Sequence, residues 1–303
     1  MIRQAASHNP GRGKVRVVTL LWWLVGCVMA LAWLALMTGF LGRWWPLADS
    51  LSLLRPLLGV LCLLGACLRF AKVTRIALAG AAAAAALTIL PLFVPGKGGD
   101  LRIYSKNMWY RNGELLALAT DIIDSGAEVV MLQEVSDRNA MILQLLGPRY
   151  PHQHVCPFAG WSRIAVLSVH PIAETACSSR RAMAAARITR DGRAFWAASV
   201  HLQWPYPYGN SATADSAVDL LLGLDGPIVT GGDFNIFPWA ASVQRMRRSG
   251  RMRSVTPLRP TFHLKGVPLF LDHVWAPGGG HASYRSPLGS DHLGILAVVD
   301  LDG

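Results

Sequence analysis

An uncharged run of 26 residues, Val17–Gly42, is the feature that most constrains how this chain can fold. An α-helix needs about 20 apolar residues to cross about 30 Å of hydrocarbon, so the run predicts a transmembrane helix over residues 17–41. Its length argues against a cleaved signal peptide, whose apolar core spans only about 7–15 residues. A second uncharged run, the 21 residues Ile76–Gly96, predicts another span over residues 76–95.

The segment between these runs is less uniformly apolar. Only 13 uncharged residues separate Arg55 from Arg69, and Pro56 follows Arg55 directly. The segment predicts a third span over residues 51–71 if the Arg55 side chain extends along the helix to the membrane interface. The alternative is a re-entrant or surface-lying helix, and two spans instead of three would leave the rest of the chain on the opposite side of the membrane.

The positive charge of the chain is concentrated around these apolar segments. The net charge is +11, and residues 1–99 supply +9 of it, with ten basic residues and one acidic residue, Asp49. Charge so placed indicates membrane topology rather than nucleic-acid binding, because basic loops stay in the cytoplasm. The basic residues concerned are Arg3, Arg12, Lys14 and Arg16 in the tail, and Arg69, Lys72 and Arg75 between the second and third spans.

Three spans then leave the remainder of the chain outside the cytoplasm. The Ala-, Leu- and Arg-rich composition suggests a bacterial protein, so we expect a multi-pass protein of the inner membrane with its main domain on the periplasmic side. A channel or transporter is disfavoured, because the three predicted spans contain no acidic residue.

The remaining residues have the pattern of one folded domain. Pro95–Gly99 is a linker by composition, so we expect a membrane region over residues 1–96 and a single domain over residues 100–303. Short apolar runs separated by Gly/Pro loops, with few helices, favour an α/β or α+β sandwich. The predicted strands include Leu101–Ser105, Val129–Gln133, Ile164–Val169, Ala194–His201, Pro227–Thr230, Leu269–Trp275 and Ile295–Leu301.

Polar side chains lie within or directly after these runs. A charged group at the end of a buried strand is costly unless it meets a partner or a metal, so a succession of them predicts one shared site. The residues are Asn107, Glu134, His201, Asp233, Asn235, Asp272, His273, Asp291 and His292.

The residue types define the chemistry that such a site can perform. Carboxylate and amide oxygens suit Mg²⁺ or Mn²⁺, and no Cys/His spacing typical of zinc is present. His201 and His292 can transfer protons near neutral pH, and Asp233 can activate or orient a water molecule. Together these groups describe the hydrolysis of a phosphoester. The candidate oxygen ligands are Glu134, Asn107 and Asp291.

Six short motifs, in this order along the chain, resemble those of the endonuclease/exonuclease/phosphatase (DNase I-like) family. They are NMW at 107–109, LQE at 132–134, HLQWP at 201–205, GDFN at 232–235, LDHV at 271–274 and SDH at 290–292. The resemblance covers about residues 100–301, and the pair GDFN and SDH is its most specific part. It implies a four-layer α/β sandwich, two mixed β-sheets face to face with helices outside, preceded here by the three-helix membrane region.

The resemblance also implies roles for the metal and water side of the site. Glu134, helped by Asn107, would bind the divalent metal. Asp233 and Asn235 would handle the attacking water and the phosphate.

It implies roles for the second group of residues as well. His201, followed by Pro205 four residues later, would contact or protonate the phosphate, and Asp272 would support the site. Asp291 and His292 would form the final Asp-His pair near the metal and the scissile phosphate. Which histidine is the general acid differs between branches of the family, so that assignment stays open.

Two further side chains are candidates for binding substrate. Arg163 stands where the family often has glycine, and it either reaches a substrate phosphate or lies in solvent at a strand end. Trp204 belongs to an aromatic, Pro-rich loop with Tyr206 and Tyr208, which either binds bases or lipid or packs as a loop.

The substrate class is less constrained than the chemistry. Residues 100–303 carry only +2, which is little for a nucleic-acid enzyme, although a local arginine run either forms a solvated face or contacts anionic lipid or nucleic acid. The main hypothesis is a membrane-tethered, nuclease-like phosphoesterase. The alternatives are a phospholipid or sphingomyelin head-group phosphodiesterase or phosphatase, and an inactive binding domain. The arginine run comprises Arg245, Arg247, Arg248, Arg251 and Arg253.

The expected partners follow from these hypotheses. They are a phosphoester substrate (nucleic acid, a lipid head group or a small phosphate ester) and the lipid bilayer, with no obligate protein partner evident. The inactive reading is disfavoured because Glu134, Asp233 and His292 are all present. Cys156 and Cys177, 21 residues apart, either form the disulfide that an oxidising compartment permits or stay free thiols.

Overall fold

The computed structural model describes residues 10–303, with side chains from residue 17 onward. The predicted topogenic charges at Arg3, Arg12, Lys14 and Arg16 therefore lie outside the described residues or side chains. The α-helices of the described range are α1 (Pro10–Thr38), α2 (Pro46–Leu51), α3 (Arg55–Ala66), α4 (Lys72–Ile89), α5 (Leu115–Asp124), α6 (Met141–Leu146), α7 (Asn210–Leu222) and α8 (Ala241–Ser249).

The strands begin directly after the linker. Those of the first part are β1 (Leu101–Asn107), β2 (Val129–Val135), β3 (His152–Ala159), β4 (Ser162–Ser168), β5 (Ile172–Cys177), β6 (Met183–Arg190) and β7 (Arg193–His201). Those of the second part are β8 (Ile228–Asp233), β9 (Arg253–Thr256), β10 (Phe262–Leu264), β11 (Val267–Leu269), β12 (Asp272–Ala276), β13 (Gly279–Arg285) and β14 (Gly294–Asp300).

Three N-terminal helical segments are long and apolar enough to cross a membrane. They are Val17–Leu41, Pro46–Ala66 and Lys72–Phe93, in agreement with the predicted number. The second segment begins and ends earlier than the predicted 51–71, because α3 ends at Ala66 and α4 already begins at Lys72. Pro56 lies in the first turn of α3, where a missing N–H costs no helical hydrogen bond. The orientation of these segments in a membrane stays a prediction.

The helices contact the β-domain through buried polar groups. The carboxylate of Asp49 accepts hydrogen bonds from the backbone N–H groups of Ala241 (2.6 Å) and Ser242 (3.2 Å). It therefore caps the N-terminus of α8, which has no side-chain cap from its own preceding residue. The indole of Trp239 donates to the carbonyl of Ser52 (2.7 Å). Asp49, the one acidic residue among residues 1–99, is thus part of a buried junction.

Arg55 belongs to the same junction. It is only 4% exposed, and its guanidinium donates to the carbonyls of Trp239 (3.0 Å) and Gly39 (3.1 Å) while lying 4.1 Å from the centroid of the Phe40 ring. The expected extension of this side chain to water is not what the structure shows. Carbonyl groups at the junction take the place of solvent around the guanidinium.

The prediction of two face-to-face sheets was wrong. Twelve strands form a single mixed sheet that nearly closes into a barrel, in the order β3-β4-β2-β1-β14-β13-β9-β12-β8-β7-β6-β5, and β10 and β11 form a separate hairpin. The strand that joins the two halves is β9, which pairs in parallel with β13 through Val255 and Gly280 and antiparallel with β12 through Ser254 and Trp275. β9 has only four residues and begins with Arg253, so it contains no apolar run from which a strand could be predicted.

The main core lies inside the curved sheet. It combines side chains from both halves, among them Leu101, Ile103, Met131, Ala184, Phe195 and Val229. Two further apolar clusters bury α5 and α6 against the first half and α7 and α8 against the second. The helices therefore cover the outer faces of the sheet.

A disulfide bridges the two ends of the sheet. Cys156 lies on β3 and Cys177 on β5, the first and last strands in the sheet order, and the two residues are bonded. His154 donates from Nε2 to the carbonyl of Ala176 (3.2 Å) across the same gap. A bridge of this loop length contributes about 3 kcal/mol of stability. Of the two alternatives that the sequence left open, the structure shows the disulfide and not two free thiols.

Candidate active site

The termini of five strands meet at one buried site. β1 pairs in parallel with β2, and β7 pairs in parallel with β8, so their carboxyl ends lie at the same edge. β12 runs antiparallel to β8, which sets the start of β12 beside the end of β8. The polar residues brought together in this way are Asn107, Glu134, His201, Asp233 and Asp272.

Asn107 links the two halves of the sheet. Its Nδ2 donates to Glu134 Oε1 (3.2 Å) and to Asp233 Oδ2 (3.0 Å), while its Oδ1 accepts from the backbone N–H of Trp109 (2.9 Å). Every polar atom of this buried amide is therefore used. Ligation of a metal through the amide oxygen requires the amide to turn over.

Glu134 sits at an irregularity of β2. Its backbone has φ +60°, and the register of β2 against β4 shifts between Leu132 and Val135. A bulge of this kind turns a side chain away from the alternation of the strand, here into the pocket. Oε2 accepts from the backbone N–H of Tyr110 (2.9 Å). Burial raises the pKa of Glu134, although the hydrogen bonds from Tyr110 and Asn107 oppose that shift.

Asp233 lies at the centre of the pocket. Oδ1 accepts from the backbone N–H of Asn235 (2.8 Å), whose φ of +51° closes the turn, and Oδ2 accepts from Asn107. Gly232 precedes it because a Cβ there would lie 2.0 Å from the carbonyl oxygen of Val200. Burial raises the pKa of Asp233 above that of an ordinary aspartate, although the charge of His292 opposes that shift.

Asp272 and His292 form a hydrogen-bonded pair. His292 Nδ1 lies 2.7 Å from Asp272 Oδ2, and His292 Nε2 lies 3.9 Å from Asp233 Oδ2. Burial alone would lower the pKa of His292, but the charges of Asp272 and Asp233 outweigh it and raise the pKa to about 9. The same attraction holds the pKa of Asp272 below its ordinary value despite burial. The imidazole is therefore protonated at neutral pH.

His201, unlike His292, is uncharged at neutral pH. Its Nε2 lies 3.6 Å from Asp233 Oδ2 and 3.8 Å from Glu134 Oε1, and its ring stacks on Phe158 with a centroid distance of 4.0 Å. Burial, followed by repulsion from His292, lowers the pKa of His201 to about 3. The two histidines thus differ in charge although both face Asp233.

Asn235 and the remaining predicted residues lie at the edge of the pocket. The Asn235 side chain donates to the carbonyl of Leu202 (2.8 Å), and Asp291 is exposed at the rim. Arg163 pairs with Asp137 (2.7 Å) and is directed along the surface. Trp204 lies 6.1 Å from Phe262, ring centroid to ring centroid, beside the pocket.

Sequence reasoning missed several residues of the site. Lys106 is fully buried, and its Nζ donates to the carbonyls of His292 (2.6 Å), Pro287 (2.7 Å) and Ser286 (3.3 Å). Burial lowers the pKa of Lys106 to about 8, and the ammonium ties the loop of His292 to β1. The only sequence signal was a lysine directly before Asn107 at the end of a predicted strand.

His273 belongs to the predicted set but not to the pocket. It is buried behind the site, where its Nε2 donates to the carbonyl of Ile236 (3.2 Å), and burial lowers its pKa to about 4. Its position after Asp272 in the strand alternation turns it to the opposite face.

The donor set fits a hard divalent cation. Carboxylate oxygens of Asp233 and Asp272 lie within 4.8 Å of one another, the protonated His292 lies beside them, and Glu134 lies on the other side of Asn107. Asp272 Oδ1 is buried with no hydrogen-bond partner among the described residues. Oxygen donors with unbalanced negative charge are what Mg²⁺ or Mn²⁺ prefers.

Comparison with known proteins identifies the fold. A family model described as "Endonuclease/Exonuclease/phosphatase family" matches residues 103–292. Truncated TDP2 of Caenorhabditis elegans aligns with a TM-score of 0.55 at 16% identity, covering 66% of this chain and 98% of that chain. The human Nocturnin catalytic domain with bound sulfate anion aligns with a TM-score of 0.53 at 17% identity, covering 67% and 95%.

A third structure, an endonuclease/exonuclease/phosphatase from Beutenbergia cavernae, aligns with a TM-score of 0.52 at 18% identity, covering 68% of this chain and 72% of that chain. At these identities the likeness to solved structures shows the fold alone. No curated protein matches the chain.

Proposed function

Since the chain belongs to the endonuclease/exonuclease/phosphatase family, whose members are metal-dependent phosphoester hydrolases, we propose that it is a membrane-anchored phosphoesterase in which Asp233 orients the attacking water. The observation that carries this proposal is the pocket itself. One buried carboxylate, Asp233, lies within 4 Å of a charged imidazole, His292, and a neutral one, His201. A binding domain without activity has no need of such an arrangement.

Asp233 has the properties of a general base. Hydrogen bonds from the backbone of Asn235 and the amide of Asn107 fix the direction of its carboxylate. Burial raises its pKa toward the operating range of a base, so it accepts a proton from water more readily than a solvated aspartate. The water is then aimed at phosphorus in line with the leaving oxygen.

His292 supplies positive charge to the phosphate. Its Nδ1 is held by Asp272, so Nε2 is the atom that faces the pocket. An imidazolium in a buried pocket stabilises the charge that grows on phosphoryl oxygens, and it can donate its proton to the leaving oxygen. We infer that His292, rather than the neutral His201, is the general acid. His201 would accept or donate a hydrogen bond at the phosphate.

The divalent cation belongs on the Glu134 side of the pocket in this proposal. Glu134 is its principal ligand, Asn107 assists after its amide turns over, and Asp291 closes the rim. A bound Mg²⁺ or Mn²⁺ neutralises charge on the phosphoryl oxygens. The assignment is supported by the position of Glu134 in the site, where Oε1 accepts only the 3.2 Å hydrogen bond from Asn107, which turning over the amide would release.

Magnesium-dependent hydrolysis is the expected result for the purified full chain in detergent. It should cleave bis-p-nitrophenyl phosphate with added Mg²⁺, lose that activity in EDTA, and regain it when Mg²⁺ is restored in excess. Release of p-nitrophenolate is the measurement. Equal rates with and without EDTA would contradict a metal-dependent mechanism.

A phospholipid head group is the second candidate substrate, because the pocket borders the N-terminal helices. The Phe262 ring lies 4.7 Å from His292, centroid to centroid, and also contacts Trp204. The backbone N–H of Tyr206 donates to Ser50 Oγ on α2 (3.0 Å). Offering DNA, RNA, sphingomyelin and phosphatidylinositol phosphates under the same conditions separates this candidate from the nuclease-like one.

We infer that the β-domain lies on the periplasmic side of an inner membrane. The support is the disulfide between Cys156 and Cys177, which persists in oxidising compartments, together with the basic turn between the second and third spans. After acid quenching of cells and alkylation of the denatured chain, both cysteines should react only if reductant is added first. Cys27, Cys62 and Cys67 are the internal controls, because they are free. Alkylation of Cys156 without reductant would place the domain in the cytoplasm.

A further inference from the structure

A cavity separate from the catalytic pocket lies where the N-terminal helices meet the β-domain. Its volume is about 540 Å³, within the usual range for small-molecule sites. One wall is formed by the turn after α1, the start of α3 and the end of α4, and the other by α8 and β9. Its lining includes Phe40, Arg55, Leu87, Pro91, Arg247 and Arg248.

The polar wall of this cavity is strongly basic. Three arginines line it, Arg55, Arg247 and Arg248, and none of the lining residues is acidic. Among the described residues, no carboxylate lies within 4.0 Å of any of the three guanidinium groups. Burial, then repulsion from Arg248, lowers the pKa of Arg247. Unbalanced positive charge in a concave site attracts an anion.

The Arg55 side chain gives the most direct evidence that an anion binds in this cavity. It is 4% exposed, and its Nε is buried without a hydrogen-bond partner in the described part of the chain. Its other nitrogens donate to Trp239, Gly39 and Thr88, all neutral acceptors. The carboxylate of Asp49 attracts this buried cation only from beyond 4.0 Å, and Nε still lacks an acceptor, so an anion in the cavity would lower the cost of burying the group.

The opposite wall of the cavity is apolar and continuous with the surface of the helices. Leu87, on α4, is 77% exposed, and Pro91 follows it one turn later. Both belong to the span Lys72–Phe93, which is long and apolar enough to cross a membrane. An occupant would therefore meet charge on one side and an apolar surface on the other.

We propose that this cavity binds the phosphate of an anionic phospholipid, with the acyl chains lying along Leu87 and Pro91. The proposal rests on the proposed membrane anchoring and is independent of the proposed hydrolysis, because no residue of the catalytic pocket lines the cavity. Arginine is suited to such a ligand because its planar fork holds two phosphate oxygens at once. The lipid would lie at the domain-side interface, where α1 and α4 end and α3 begins.

The test titrates the full chain in neutral detergent micelles with short-chain phosphatidylglycerol. Thermal unfolding, followed by tryptophan fluorescence, should shift upward and saturate with phosphatidylglycerol, and should not respond to phosphatidylcholine at the same mole fraction. In Arg247→Gln/Arg248→Gln the apparent affinity should fall by about tenfold or more, because charge-assisted hydrogen bonds are lost. Arg248→Gln alone should lower it too, because this exposed side chain makes no hydrogen bond to the described part of the chain on which folding could depend.

The matched control removes the same charge outside the cavity. Arg251→Gln/Arg253→Gln alters two exposed arginines of the same run that do not line it, and should bind phosphatidylglycerol like the parent chain. Equal loss in both double variants would reduce the effect to general charge and overturn the proposal. So would equal shifts with phosphatidylcholine, with inorganic phosphate or with a DNA oligonucleotide. Because the lipid is offered in micelles, failure of anchoring is detected separately, as release of the chain from membranes by alkaline washing.

Discussion

Asp233→Asn is expected to lower kcat for phosphoester hydrolysis by about a thousandfold or more, because the amide cannot accept the proton of the attacking water. The variant should still fold. Burial raises the pKa of Asp233 above its unfolded value, so at neutral pH the ionised group destabilises the folded state, and a neutral amide removes that cost. The NH2 group of the amide, however, cannot accept one of the two hydrogen bonds that Asn107 and Asn235 donate. Because these effects oppose each other, the variant without added metal should unfold within a few degrees of the parent chain. Single-turnover hydrolysis and thermal unfolding are the two measurements.

The control for this variant is Asp219→Asn, the same chemical change at an exposed position of α7. It should leave both kcat and the unfolding temperature unchanged. If Asp233→Asn retained more than about a tenth of the parent rate, the loss would be too small for the removal of a general base. Asp233 could then not be the general base. A large drop in its unfolding temperature would instead identify Asp233 as a structural residue.

The site could be predicted from the sequence to the extent that its residues end buried strands. Asn107 and Glu134 follow apolar runs, and so does Asp233, where an unpaired polar group is costly. The structure brings these three within hydrogen-bonding distance. The different charges of the histidines could not be predicted, because they depend on which imidazole receives the second carboxylate. Asp272 reaches His292 and leaves His201 against a phenyl ring.

The aromatic and basic residues that support the site could not be predicted from the sequence, for a different reason. Phe158 stacks on His201, and the Phe262 ring lies tilted against His292, yet the sequence gives both phenylalanines the pattern of ordinary strand residues. Lys106 precedes Asn107 at what looks like a solvated strand end, while its ammonium is in fact enclosed by carbonyls. Such roles arise from contacts distant along the chain, and periodicity carries no information about them.

The fold was predicted element by element better than as a whole. Seven of the fourteen strands were predicted, because their residues form apolar runs, whereas the connection of the strands into one sheet depends on β9. That strand pairs through two residues on each side, and its sequence, Arg253–Thr256, is polar at its start. The boundary between membrane region and domain stays a prediction. Asp49 and Arg55 show that the two regions share a buried junction.

The second large effect is expected in the Asp272-His292 pair, where substitutions should not add. His292→Gln should lower kcat by about a hundredfold to ten-thousandfold, since it removes the charged proton donor. Asp272→Asn should cause a smaller loss. The double variant should be no slower than His292→Gln alone, because Asp272 acts through His292 and groups that act as a unit are not additive.

The pH profile distinguishes this role of Asp272 from a merely structural one, with His281→Gln, an exposed histidine on β13, as the unaffected control. Parent activity should fall as pH rises through about 9, where His292 loses its proton. Among the groups that raise this pKa, Asp272 acts most strongly, and burial acts against it. In Asp272→Asn the charge that most raises the pKa of His292 is gone, whereas burial still lowers that pKa. The alkaline decline should therefore move toward neutral pH in Asp272→Asn. In His292→Gln the decline should disappear. An alkaline decline that stayed near pH 9 in Asp272→Asn would mean that a different group donates the proton.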